Sequence, residues 1–388
     1  MKKNISYIII LLFIVACQSV STTTFSSSCE PTNNTSSAQH EKLKNALHDL
    51  VSEGIPGVAM AVYTNNAWWK GAKGYARIED KTPMQSCHLQ YLQSVAKLYM
   101  AVGILKLYEE GKIDLNAPIT RYLKIEHSNH ISQAEKISVR MLLNHTSGIP
   151  EYNLVPLYVT RLLQNPKATF KPEDYLTYIS GKTLDFEPGS RYAYRNTNYV
   201  LLALMADAIT GDHAKYLDKV IFTPLELTNT FYRGSDNYLN YPTLVNAYWD
   251  RYSDGHLENA SVLQRNNVAT LVGDDGIVAT PEDAVKFLKG LMEGKLLHTS
   301  TLDSMQVWAK DRKGNNAYGL GLDYTVLGGK VAYGHSGGGI GAGCQLYYIP
   351  EKNLYFFVGI NLGTVTDSPL HKIAEPKIEK LYSVLFEL

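Results

Sequence analysis

Residues 94–111 read SVAKLYMAVGILKLYEEG, and their apolar members fall on nearly every side of a helix. Leu98, Ala101, Val102, Ile104, Leu105 and Leu107 cover most of its circumference, and Gly111 is a good stop. A helix that is apolar all round has no solvent face and must be enclosed by the rest of the protein. The chain has 388 residues, 45% of them hydrophobic, which is enough for such a body. Its length permits two domains or one composite domain. Lys97 is out of place in this helix. Burial disfavours its ammonium and lowers its pKa. Ser94 precedes it by one turn, and a neutral amine there can accept the serine proton. Free N–H groups at the helix start favour negative charge developing at Ser94. The same residues also read as a capping serine followed by a lysine that snorkels to solvent. Ser-x-x-Lys is too short a motif to choose between the two.

The flanking sequence places this helix between two strand-bearing regions. A helix beginning near Ser36 carries Leu43, Leu47, Leu50 and Val51 on one face and ends at Gly54. Gly57 to Thr64 reads as a buried strand, Asn65-Asn66 as a turn, and Ala67 to Gly74 as a second strand. From Ser94 to about Ala269 the chain is mostly helical and loop-like. Thr280-Pro281-Glu282-Asp283 then opens a helix with a cap, a first-turn proline and early acids. Strands follow at Val331 to Tyr333, Cys344 to Ile349 and Leu354 to Ile360, with a last helix from about Ile373 to Phe386. The expected fold is α/β of the α+β kind. One antiparallel sheet is built from both termini and flanked by helices, and a mostly helical lobe is inserted. The α/β lobe spans about 37–86 and 270–388, the helical lobe about 87–269, and a cleft is expected between them.

The N-terminus reads as a targeting segment. Lys2 and Lys3 precede the apolar stretch Ile5 to Val15, too short to span a bilayer comfortably. Ile14-Val15-Ala16-Cys17 resembles the lipobox of bacterial lipoproteins, which implies removal of residues 1–16 and lipid on Cys17. An ordinary signal peptide is the alternative. Residues 17–36 are rich in Ser, Thr and Asn and read as a tether. The expected location is the bacterial periplasm or cell envelope, with membrane contact through the lipid alone. Of Cys29, Cys87 and Cys344, at most one pair can form, and spacing does not say which. With 37 basic and 37 acidic residues, the chain gives no reason to expect nucleic acid as a partner.

Two further motifs carry chemistry. Tyr194-Arg195-Asn196 lies on a loop entering an apolar helix that ends near Gly211. A phenol beside Lys97 can shuttle the serine proton to a leaving group. The Asn196 amide can donate and accept, which suits a substrate amide. With 27 tyrosines in the chain, plain packing is the competing reading. His335-Ser336-Gly337 sits in YGHSGGGIGAG, where glycines let a strand approach a ligand closely. The N–H of Gly338 can pair with that of Ser94 as an oxyanion hole.

Ser-x-x-Lys, Tyr-x-Asn and His-x-Gly in this order resemble the class C β-lactamase-like serine hydrolases. That group includes D-alanyl-D-alanine carboxypeptidases, D-aminopeptidases and β-lactamase-fold esterases. Segments such as IPGVAMAVY, MLLNHTSGIP and DDGIVATPEDAVKFL add to the resemblance, which runs from about residue 40 to 362. It implies a β-lactamase/transpeptidase-like fold, Ser94 as nucleophile, Lys97 as base partner and Tyr194 as second general base. It further implies substrate contacts at Asn196, His335, Gly337 and Gly338, no cofactor and no metal. His335 takes the place of lysine in Lys-Thr-Gly, which favours the peptidase and esterase branches over true β-lactamases. Arg195 is expected to point outward. If it pointed inward it could bind a substrate carboxylate. Expected substrates are small molecules or peptides, with peptidoglycan stem peptides among them.

Three rivals remain on sequence. Gly334 to Gly338 fits Gly-x-Ser-x-Gly with Ser336 as nucleophile, followed by Asp367 and His371, but a strand and not a helix is expected next. His127 and His130 form a lone His-x-x-His and are expected to be solvated. A binding module with dead chemistry would keep the same fold. His145 reads as structural, and the tyrosines around 152–178 and 232–252 read either as lining the cleft and choosing among substrates or, by default, as core or surface residues.

Overall fold

The computed structural model describes residues 37–233 and 237–388. The leader, the tether, Cys17 and Cys29 lie outside the described residues. Among the described residues no helix is long and apolar enough to cross a membrane. Cys87 is disulfide-bonded, and Cys344 is free and buried.

Strands from both ends of the chain meet in one antiparallel sheet. The N-terminal strands are β1 (Gly57–Thr64), β2 (Ala67–Arg77) and β3 (Thr82–Pro83). The C-terminal strands are β4 (Ala309–Lys310), β5 (Asn316–Tyr318), β6 (Asp323–Leu327), β7 (Lys330–Gly338), β8 (Gly343–Ile349) and β9 (Leu354–Ile360). The order is β3-β2-β1-β9-β8-β7-β6-β5-β4, nine strands in all. The seam between the termini is β1 against β9, with Val58 opposite Ile360 and Tyr63 opposite Tyr355.

Side-chain alternation along the central strands feeds two layers. Val58, Met60 and Val62 face helices α1 (Ser37–Ser52) and α5 (Pro369–Leu385), whose Leu43, Leu47, Leu50 and Leu381 cover that face. Ala61, Leu346 and Phe357 point to the opposite face, into the larger core. That core holds α2 (Ala96–Glu109), α3 (Asn196–Thr210) and α4 (Pro281–Met292). Helix α2 is enclosed as its composition requires, with every residue from Ala96 to Leu105 buried. Tyr99 stacks on Phe287 of α4, ring centroids 3.5 Å apart, locking α2 to the helix that covers the sheet.

Several elements differ from the sequence expectation. β7 runs through the glycine-rich motif to Gly338 instead of ending at Tyr333, because β8 pairs with it residue for residue. β2 extends to Arg77, and α5 starts at Pro369 and tolerates Pro376 inside it. β4 to β6 are short and complete one edge of the sheet. His127 is buried, with Glu173 3.7 Å from its Nε2, rather than solvated.

The start of α4 is capped as its sequence requires: Thr280 Oγ1 accepts the Asp283 N–H at 3.3 Å. Thr280→Ala is expected to destabilise the protein by about 1 kcal/mol, read as a lower Tm in thermal unfolding. An unchanged Tm would contradict a capping role.

Candidate active site

The segment entering α2 is held on both sides. Gln90 and Tyr91 ladder with Ala279 and Val278, and the Leu92 N–H donates to Ile277 O at 3.0 Å. Cys344 Sγ donates to Leu92 O at 3.2 Å. Gln93 then takes a left-handed φ of 50°, uncommon for a non-glycine residue, and its side chain is buried. Gln93–Val95 forms a single 3₁₀ turn that continues into α2, so Ser94 lies on that turn just before the helix. Lys97 has no exposed surface. Its Nζ lies 2.9 Å from Ser94 Oγ and donates to the Asp274 backbone O at 2.8 Å. Burial holds its pKa below the usual lysine value, against the opposing pull of the Asp274, Asp275 and Glu151 carboxylates. The ladder that seats Ser94 therefore also brings the 274–279 segment, and with it the lysine's second acceptor, into place.

Tyr194 reaches Ser94 from the loop before α3. It lines the same cleft as Ser94, and Lys97 Nζ stands 5.1 Å from its ring centre. Burial, reinforced by Asp274, Glu151 and Asp323, raises its pKa well above that of a free phenol. Tyr194 is thus a neutral phenol at physiological pH, a relay for protons and not a resting phenolate. His145 supports it from below. This residue is fully buried, with φ 59°, and its ring centre is 4.4 Å from that of Tyr194. Its Nδ1 accepts from the Arg195 N–H and from Asn198 Nδ2, each at 3.2 Å. The Ala193 N–H donates to His145 O at 2.9 Å, so one turn fixes the loop that carries Tyr194. The structural reading of His145 holds, though its position directly under the site was not visible in the sequence.

Asn196 opens α3, its backbone N–H donating to the Glu151 carboxylate, and it lines the cleft beside Ser94. Arg195 does not enter the cleft. Its Nη2 pairs with Asp185 at 2.8 Å and its Nη1 donates to Tyr194 O at 2.9 Å.

The third motif lies on the free edge of β7. β6 pairs with β7 only as far as Asp323 opposite Gly334. Beyond that point, His335 to Gly338 have β8 on one side and pack against the Ser94 turn. A Cβ on Gly337 would fall 2.4 Å from Leu92 O and 2.9 Å from Gln93 Cβ, so only glycine allows this approach. Gly338 and Ser94 line the same cavity. His335 is 3% exposed, with Nε2 2.8 Å from the Tyr318 hydroxyl and Nδ1 bonded to Ser336 O. A carbonyl partner makes Nδ1 the donor, so Nε2 accepts from Tyr318. Burial and the nearby Lys97 push its pKa down to about 3. His335 therefore borders the cleft as a neutral ring with both nitrogens engaged, and the expectation that it aims a free polar group at substrate is corrected.

Ser336 is no nucleophile elbow. It lies within an antiparallel strand whose next element is β8 and not a helix. Asp367 pairs with Lys372, and His371 Nε2 donates to Gly363 O. Among the described residues no three His, Cys, Asp or Glu side chains converge as a metal site would need.

Two cavities meet at Ser94 and Tyr194. One, of ≈ 600 Å³, is lined by Asn196, Tyr152, Tyr158, Trp249, Asp274 and Asp275 among others. The second, of ≈ 310 Å³, is lined by Tyr192, Tyr318, Asp323, His335 and Ser336. Tyr152 and Tyr158 thus border the cleft, while Tyr175 and Tyr232 pack in the core and Tyr252 is exposed. Sequence reasoning missed Glu151, Asp274, Asp275 and Asp323. The signal available was an acidic pair set in the apolar run LVGDDGIVAT, where acids are out of place unless partnered.

The family model described as Beta-lactamase matches residues 40–374. Penicillin-binding protein 4* of Bacillus subtilis is 24% identical over 333 residues, covering 82% of this chain and 71% of that protein. Protein flp of Staphylococcus aureus is 28% identical over 205 residues, and that match covers 52% of this chain but only 40% of its own length. Among solved structures, the D-amino acid amidase of Ochrobactrum anthropi SV3 superposes with a TM-score of 0.78 at 24% identity. That match covers 90% of this chain and 99% of the amidase. A D-stereospecific amidohydrolase from Streptomyces sp. gives a TM-score of 0.75 at 26% identity, over 87% and 98% of the two chains.

Two variants test this geometry. Lys97→Ala is expected to slow modification of Ser94 by a fluorophosphonate by roughly 10²–10⁴-fold, with the fold intact by circular dichroism. Labelling at the wild-type rate would contradict the base geometry. Gly337→Ala is expected to push β7 off the Ser94 turn and lower the same rate at least tenfold. A wild-type rate would show that the close approach is dispensable.

Proposed function

The chain belongs to the beta-lactamase family, and on that premise we propose that it is a class C-like serine hydrolase that hydrolyses ester or amide carbonyls through an acyl-enzyme on Ser94. The observation that carries this reading is a buried lysine amine 2.9 Å from the serine oxygen, its pKa held down by burial.

Neutral Lys97 takes the Ser94 proton as Oγ bonds to the carbonyl carbon. The carbonyl electron pair moves to oxygen, where the backbone N–H groups of Ser94 and Gly338 receive the oxyanion. When the tetrahedral intermediate collapses, the bond to the leaving group breaks. The departing amine or alkoxide takes the Tyr194 hydroxyl proton, and the Lys97 ammonium returns a proton to Tyr194. Water then attacks the ester, giving its proton to Lys97 through Tyr194, and Ser94 leaves with a proton returned from Lys97. Asn196 holds the substrate amide.

Among the substrates open to such machinery, the charges around Ser94 favour a D-aminopeptidase-like, amidase or esterase activity. The acidic side chains bordering the two cavities are Asp274, Asp275 and Asp323, all with pKa values raised by burial, no lysine or arginine lines either cavity, and His335 is neutral. A penicillin or a D-alanyl-D-alanine terminus carries a carboxylate and finds no cation there. The likeness to D-amino acid amidase and D-stereospecific amidohydrolase supports the same branch. Export, lipid on Cys17 and residence in the bacterial envelope belong to this proposal.

Stopped-flow hydrolysis of a chromogenic ester tests it. The expected trace is a burst equal to the enzyme concentration, lost in Ser94→Ala and kept in Ser336→Ala. A wild-type protein with no burst and no turnover on any ester or amide would support a binding module instead.

A further inference from the structure

The smaller cavity at Ser94 has a composition the hydrolase chemistry does not require. Three of its walls are the rings of Tyr192, Tyr194 and Tyr318, and a fourth is the carboxylate of Asp323. Tyr192 and Tyr318 face each other at 6.2 Å between ring centres, 22° from parallel, and Tyr194 stands edge-on to Tyr318 at 6.0 Å. Asp323 sits at the point where β6 ends and the free edge of β7 begins, opposite Gly334. Its Oδ2 accepts from the Tyr347 hydroxyl at 2.7 Å, and the Tyr324 backbone N–H also supports it. Among the described residues no lysine, arginine or histidine pairs with it. Burial pushes its pKa up to about 6, so it is mostly ionised at neutral pH.

A carboxylate without a counter-ion, in a cavity lined by tyrosine rings, has a physical preference. The faces of tyrosine rings carry negative potential and attract cations. A partly desolvated carboxylate gains most from an ion pair that is also a hydrogen bond. The same carboxylate repels an anion. The hydroxyl of Tyr318 is committed to His335. A volume of ≈ 310 Å³ suits a short aminoalkyl group.

Building on the acyl-hydrolase reading of Ser94, we propose that this cavity is a cation subsite: Asp323, with the Tyr192, Tyr194 and Tyr318 rings, binds a primary ammonium carried by the substrate. Asp323 is then a specificity-determining residue that selects amino-bearing esters or amides over carboxylate-bearing ones. Tyr347 is a positioning residue that holds the carboxylate in place.

The test uses three small probes of nearly equal size: propylammonium, propanol and propionate. Each is assayed for slowing the labelling of Ser94 by an uncharged fluorophosphonate. For the wild type, propylammonium should protect at a concentration at least tenfold lower than propanol, and propionate no better than propanol. Asp323→Asn should bring propylammonium to the level of propanol, while Asp323→Glu should keep the preference. Equal protection by ammonium and alcohol, best protection by propionate, or an ammonium preference that survives in Asp323→Asn would overturn the subsite. Thermal shift with the same probes reads binding without acylation. If Ser94 is never labelled, the hydrolase reading fails. A Tm rise specific to propylammonium and lost in Asp323→Asn would then still establish the subsite, and no such rise would refute it.

Discussion

A lysine buried without any solvent contact is the constraint around which this site is organised. Its ammonium cannot keep its water shell in the core, so either the charge is paired or the proton is given up. The protein does some of each. Nζ is supplied with the Asp274 backbone oxygen and the Ser94 oxygen, and carboxylates stand near enough to oppose the fall in pKa without cancelling it. Those acceptors come from residues 274–275, far along the chain. They reach Lys97 because the short ladder of residues 90–91 with 278–279 fixes the two segments together. The apolar surround of α2, the left-handed Gln93 and the small ladder all serve to keep one amine dry and one serine beside it.

The other side of the nucleophile depends on a strand that outruns its neighbour. β7 continues past the end of β6, and the exposed edge from His335 to Gly338 is what faces the Ser94 turn. Gly337 is required because the turn lies too close for any side chain. The same ending of β6 puts Asp323 at the rim of the cavity. Strand length thus determines both where the backbone can meet an oxyanion and which charge the substrate meets next to it. The neutral His335 agrees with that acidic rim.

Much of this was legible in the sequence because it rests on local pattern. β1 and β9 begin and end where their apolar runs meet turn residues, and α4 begins at its threonine cap. Ser94, Lys97, Tyr194 and Asn196 are marked by the order of their motifs and the resemblance it carries, and the structure brings all four together. What stayed hidden depends on partners distant in sequence. The strand character of the glycine motif comes from pairing with β8, since glycines carry no alternation of their own. The charge of His335 depends on Tyr318 and on burial, and the direction of Arg195 depends on Asp185. Asp323 looks like an ordinary surface acid until the sheet is assembled, and Asp274 and Asp275 stand out in their apolar run without showing which partner they serve.

The central claim is that Lys97 is an amine whose pKa lies below the usual lysine value and that it serves as the base for Ser94. The most direct measurement is an NMR titration of the lysine side chains in protein labelled with 13C-lysine, with Lys97→Arg used to assign the resonance. The account predicts one side chain titrating below the ordinary lysine value of 10.5, and acylation rising with pH through the same midpoint. A Lys97 that titrates at or above that value, or acylation that rises with a different midpoint, would contradict it.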